Sequence, residues 1–223
     1  MIRMNEEVNV MAEPMTVAVL EAPVASKPST RMTYDEFLAW AEEDTRAEWV
    51  NGEVVFTGQV SKLHQEVGAF LFPLIKLFVE FYQLGIVFYE SFQMKTGAGM
   101  PGRLPDIHFV AKENFSRIKE NYVEGPADLV IEIISTESRS RDRGDKFYEY
   151  EQGGVREYWL LDPLRKQAEF YQLGEDGIFR LISPDNEGKY HSTTLPGLWI
   201  DVNWLWQSPL PTSLSVLKEW KLF

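Results

Sequence analysis

Apolar side chains recur every three or four residues along SKLHQEVGAFLFPLIKLFVEFYQLG, at Leu63, Val67, Phe70, Leu71, Leu74, Leu77, Phe78 and Phe81. That spacing predicts a long helix with one buried face. Pro73 is a candidate kink inside it, and Gly85 is placed to end it. A shorter helix is expected at TYDEFLAWAEE, where Thr33 and Glu36 have capping-box spacing. RAEWVNGEVVFTG reads as strand, Asn-Gly turn, strand. Next come a strand at IVFYESFQMK, a loop at TGAGMPG, a strand at LPDIHFV and a short helix with a connection at AKENFSRIKENYVEGP. ADLVIEIIS is apolar enough for a strand buried on both faces. TESRSRDRGDKFYEYEQGG predicts a helix closed by Gly153-Gly154, and VREYWLLDP a further strand. After Pro163 the pattern becomes a β-meander.

This order predicts a mixed α/β (α+β) fold, a central mixed sheet flanked by helices with the meander added, in a single domain over 31–206. Residues 1–30 show no period and contain Pro14, Pro23 and Pro28, so a poorly ordered arm is expected there. Residues 207–223 are expected to be a tail. The 223 residues are 44% hydrophobic and 13% aromatic, which is globular composition. No apolar run approaches the roughly 20 residues a membrane helix requires. Glu6, Glu7 and Glu13 argue against a signal peptide, and the cytoplasm is the expected location. With no cysteine, disulfides, thiolate metal sites and cysteine nucleophiles are excluded.

Net charge is −12, which counts against a general nucleic-acid coat protein. The charge is uneven. Lys95 to Lys146 holds nine Lys/Arg and nine Asp/Glu, so the whole excess lies outside that segment. A local basic surface is compatible with this distribution.

Within the neutral segment, three charged residues stand where an apolar run should not tolerate them. Asp106 interrupts RLPDIHFV, Glu132 lies among isoleucines in DLVIEIIS, and Lys146 follows on the next helix. A buried glutamate must be paired, protonated or bound to a cation. Arg139, Asp142, Arg143, Lys146 and Tyr150 fall at offsets 0, 3, 4, 7 and 11, a single helical stripe. If that stripe faces the sheet end, Lys146 reaches both carboxylates. Two carboxylates and a lysine form a kit for metal-dependent phosphodiester cleavage. The acids hold Mg²⁺ through hard oxygens, with Mn²⁺ as the alternative ion. The metal activates a water and offsets phosphoryl charge, while the lysine positions or deprotonates the water or pairs with phosphate. Glu48 offers a third acid, and His64 a contact to metal, phosphate or Glu48. Asp142 and Tyr150 would support Lys146, and Arg139, Arg141 and Arg143 are candidate phosphate contacts.

LPDIHFV, PADLVIEIIS, DRGDKFYEY and GVREYWLLDP together resemble the Uma-two family of restriction-endonuclease-like proteins, in the PD-(D/E)xK nuclease superfamily. The resemblance runs from about Thr33 to Trp206. It implies a restriction-endonuclease-like core, Asp106 and Glu132 as metal-binding acids, Mg²⁺, a DNA substrate and a homodimer. The superfamily lysine would stand two residues after the second acid, where this chain has Ile134, and the role maps instead to Lys146. Plainer readings stay open. Asp106 can be a turn residue after Pro105, Glu132 a buried partner of Arg156, and Lys146 an exposed partner of Asp142. The expected function is a metal-dependent DNA endonuclease. The alternatives are a non-catalytic nucleic-acid or protein binding module on the same fold, and a hydrolase of small phosphoesters.

Overall fold

Local signals set the first elements. A computed structural model describes residues 31–42, 45–135 and 138–222, so the expected N-terminal arm lies outside the described residues. The Thr33 hydroxyl accepts the Glu36 N–H, Glu36 accepts the Thr33 N–H at 2.7 Å, and this capping box opens helix α1 (Tyr34–Trp40). Strands β1 (Ala47–Val50) and β2 (Glu53–Phe56) turn through Asn51 and Gly52, both at positive φ (52° and 90°), as a two-residue hairpin requires. Ser61 caps helix α2 (Lys62–Phe81), which Pro73 does not interrupt.

Beyond α2 the chain departs from its sequence pattern in several places. Gln83, at φ 53°, takes the left-handed position expected of Gly85. Gly85 instead opens β3 (Gly85–Tyr89), where a Cβ would lie 2.1 Å from the Val110 carbonyl oxygen. The strand expected over IVFYESFQMK breaks at Glu90 and Ser91, both at positive φ (34° and 55°), and resumes as β4 (Gln93–Lys95) in another sheet. The expected loop before Leu104 ends in a short strand, β5 (Gly102–Arg103). Strand β6 (Ile107–Ala111) begins one residue after Asp106. Then follow β7 (Tyr122–Glu124) and β8 (Leu129–Ile133). The helix after β8 is two pieces, α3 (Arg139–Arg143) and α4 (Asp145–Gly153), broken at Gly144 and closed by left-handed Gly154. Strands β9 (Glu157–Asp162), β10 (Gln167–Leu173), β11 (Phe179–Ile182), β12 (Lys189–His191) and β13 (Trp199–Asp201) complete the meander. Past residue 206, where the pattern suggests only a tail, Thr212 caps helix α5 (Ser213–Glu219) and Val216, Leu217 and Trp220 join the core.

The fold is the expected mixed α/β class. Six strands form the central sheet in the order β11-β10-β9-β8-β6-β3, with β8 and β9 parallel and the other neighbours antiparallel. A five-stranded sheet, β2-β1-β5-β4-β7, lies beside it, and β12 pairs with β13. Both faces of β8 are buried, and its side chains alternate. Leu129, Ile131 and Ile133 join the core under α2, whereas Val130 and Ile134 join the one containing Tyr150 of α4. Glu132 shares the second face. No described helix is long and apolar enough to cross a membrane.

Two buried polar groups bear on the sheet itself. Glu157, fully buried, accepts Trp159 Nε1–H at 2.6 Å, the hydroxyls of Tyr190 and Ser192 at 2.9 Å, and the N–H groups of Thr193 and Thr194. These bonds fasten the start of β9 to the turn beyond β12. His108 is also fully buried, stacked on Phe88 at 5.1 Å, and neither ring nitrogen has a hydrogen-bond partner among the described residues. Burial pushes its imidazole down to about 3, so the folded chain keeps it neutral.

Below the ordinary histidine pKa the unfolded chain therefore binds a proton that the fold excludes. The His108 contribution is complete above about pH 6.5 and is lost progressively as pH falls towards about 3, reaching about 2 kcal/mol of destabilisation at pH 5. Urea unfolding at pH 7 and pH 5 should show this loss, and His108→Phe should shrink it. An equal pH slope in both proteins would disprove the assignment.

Candidate functional site

Strand register brings the two expected acids together. Ile107 of β6 pairs with Ile131 of β8, so one step back along β6 and one step forward along β8 set Asp106 beside Glu132. Asp106 does not lie in the strand, as the pattern suggested, but just ahead of it. Its Oδ2 accepts the Ile133 N–H at 2.6 Å, which ties the carboxylate to the neighbouring strand. Its Oδ1 faces His64 Nε2 at 3.4 Å. His64 stands in the first turn of α2 and is buried, with the Asp106 interaction raising its pKa against burial.

Lys146 sits between three carboxylates. Its ammonium lies 2.8 Å from Glu132 Oε1, 3.3 Å from Glu48 Oε1 and 3.4 Å from Asp142 Oδ1. The Tyr150 hydroxyl donates to the same Glu132 oxygen at 2.7 Å. Burial alone would favour a neutral amine, but Glu132, Glu48 and Asp142 outweigh it and hold the lysine charged. For Glu132 the balance runs the other way. Burial first, then Asp142 and Asp106, push it up against the pull of Lys146. Glu132 Oε2 has no hydrogen-bond partner among the described residues, nor has buried Asp142 Oδ1.

Glu48 is fully buried and locked. Its Oε1 accepts the Leu104 N–H at 3.3 Å, and its Oε2 accepts Arg103 Nη1–H at 2.9 Å, with Arg141 at 3.7 Å. Burial would raise it, but Lys146, then Arg103 and Arg141, hold it down at about 2. Arg103 was not legible as a site residue. It stands in the short strand β5, is almost wholly buried, and makes a two-pronged pair with Glu149 of α4, both bonds at 2.7 Å. The only hint was an arginine two residues before Pro105 in an otherwise apolar stretch.

The arginines separate. Arg141 lines the same cleft as Asp106, Glu132 and Lys146. Arg139 instead pairs with Asp162 at 3.0 Å and Arg143 with Glu169, so both turn to the β9–β10 side. The break at Gly144 splits the expected stripe, and only Asp142, Lys146 and Tyr150 converge on Glu132. Arg156, the alternative partner for Glu132, approaches Asp128 at 3.5 Å.

The cleft has a volume of about 130 Å³ and is closed on one side by the loop from Thr57 to Val60. The carboxylates of Glu48, Asp106, Glu132 and Asp142 line it together with Lys146, Arg141 and His64. Among the described residues, no three His, Asp or Glu side chains are grouped to enclose a metal by themselves. Asp106 and Glu132 would offer a cation two adjacent carboxylates, with the remaining positions left to water or substrate.

The family model described as "Putative restriction endonuclease", Uma2, matches residues 34–203. The chain belongs to the Uma2 family. Among solved structures, this Uma2 chain is similar to a "putative nuclease belonging to DUF820" from Anabaena variabilis, with a TM-score of 0.64 and 17% identity. The match covers 78% of this chain and 97% of that one, and at such identity it is a likeness of fold. No curated protein matches. The restriction-endonuclease-like family and fold are those the sequence motifs implied.

In this Uma2 fold two carboxylates depend on Arg103 as their buried partner. Arg103→Met leaves Glu48 and Glu149 without their buried partner and should cost about 3–5 kcal/mol. Arg103→Lys should recover only part, because an ammonium cannot reproduce the two-pronged bond. Denaturant midpoints measure both, and an unchanged midpoint for Arg103→Met would refute the assignment.

Proposed function

We propose that this chain is a divalent-metal-dependent DNA endonuclease whose metal is held by Asp106 and Glu132. The observation that carries the reading is their placement side by side at one cleft, Asp106 just ahead of β6 and Glu132 on the neighbouring β8, with a buried lysine against the second. Mg²⁺ fits because it prefers one or two carboxylates plus waters and substrate phosphate to a full protein cage; Mn²⁺ accepts the same oxygens. Bound there, the ion would supply a water of lowered pKa and a counter-charge to the phosphoryl oxygens.

The protein's own groups divide the remaining work. Asp106 is aimed by the Ile133 N–H, and His64 covers its other oxygen. Lys146 works as a fixed positive charge beside Glu132, not as a base, since three carboxylates hold its proton. Glu48 serves as an anchor for Lys146: both its oxygens are engaged by Lys146, Leu104, Arg103 and Arg141. Tyr150 and Asp142 orient Glu132 and Lys146 from the same helical side. Arg141, on the cleft wall, is the phosphate contact among the three arginines.

One observation favours a binding role without chemistry: Lys146 and Tyr150 already saturate one oxygen of Glu132. The two readings separate in a single assay. Purified chain should nick duplex DNA in Mg²⁺ or Mn²⁺ and stop on chelation. Asp106→Asn and Glu132→Gln should each cut the rate by about 10²-fold or more with the fold retained by circular dichroism. DNA binding with no cleavage in either metal would establish the binding role instead.

A further inference from the structure

The cleft does not stop at Asp106. A second hollow of about 70 Å³ shares Thr57, Gly58, Val60, Leu104 and Asp106 with the first and continues to Arg46, Glu90 and Ser91. The two hollows meet at Asp106 as one trough, with Arg141 lining the first and Arg46 the second.

Strand β1 explains how Arg46 comes to be there. Arg46 precedes Glu48 by two residues, the interval that returns strand side chains to one face about 6–7 Å apart. The hairpin ladder extends to it, since the Thr57 N–H donates to the Arg46 carbonyl at 3.0 Å. The Arg46 side chain is 46% exposed and ion-paired to Glu90. Glu90 is 17% exposed and accepts a second bond from Gln65 at 3.1 Å. The Glu90 N–H donates to the Asp106 carbonyl at 3.0 Å, which fixes the pair to the acid it flanks. A half-exposed guanidinium in a groove, matched by one carboxylate, has the geometry to exchange that carboxylate for a phosphodiester.

We propose that Arg46 is a substrate-backbone contact, taking a nucleic-acid phosphate in the second hollow beside Asp106, with Glu90 as its resting partner. The proposal rests on the nuclease reading and names a subsite within it. It does not require Arg46 to take part in the chemistry. Glu90 tempers the site, because it must be displaced each time a backbone binds.

The test is the salt dependence of binding by the full chain to a fluorescent DNA duplex in Ca²⁺, with Arg180→Ala as the control. Arg180 is 55% exposed and pairs with Asp176 near β11, away from the trough. Arg46→Ala should weaken binding about tenfold and lower the slope of log K against log salt by about one. Glu90→Gln, which removes no cation, should tighten binding severalfold, and it keeps the test open if Arg46→Ala folds poorly. Arg46→Ala behaving like Arg180→Ala, with Glu90→Gln unchanged, overturns this proposal alone. Failure of the unaltered chain to bind any nucleic acid overturns the nuclease reading as well.

Discussion

The fold around the cleft depends on how the Lys146 ammonium is neutralised. Placing an ammonium in a protein interior is tolerable only with close, well-directed partners. Here the partners come from β1, β8 and the segment of α3. Those elements must converge for the lysine to be buried at all. The secondary sheet, which carries Glu48, is thereby fastened to the helix that carries Lys146. Arg103 repeats the arrangement, joining Glu48 of β1 to Glu149 of α4 from β5. An acidic chain thus contains a densely paired charge core. The −12 total says little about the cleft.

Much of this was legible. The capping box, the Asn-Gly hairpin and the period of α2 are local signals, and local geometry decides them. Asp106 and Glu132 were visible because each offends an apolar run, and strand register then sets them side by side. Lys146 was offered by its helical stripe, but a lysine on a helix is ordinarily solvated, and the family resemblance is what favoured it.

What was hidden depends on contacts distant in sequence. Arg103 stood unassigned between the expected loop and the expected strand because the two residues of β5 are too few to leave a pattern. The corner at Glu90 and Ser91 puts two ordinary residues at positive φ, a conformation that propensity disfavours and tertiary bonds impose. Gly85 was read as a helix stop, although its lack of a side chain is needed for the close approach of Val110. Arg139 and Arg143 shared a helical stripe with Lys146 on paper. The kink at Gly144 and the carboxylates of Asp162 and Glu169 draw them to another face.

Strand β9 carries a buried carboxylate at each end. Glu157 is tied to the Ser192–Thr194 turn, and Asp162 to Arg139 and the Arg165 N–H. A sheet strand can otherwise slide by two residues and keep its inward face inward. Here such a slip would pull both carboxylates from their donors at once, so β9 has one admissible alignment. Because Leu160 of β9 is the parallel partner of Glu132, that alignment also sets how far Glu132 advances towards the cleft. The position of Glu132 is thus gauged from the other end of the β8–β9 pair, where Glu157 lies opposite Leu129.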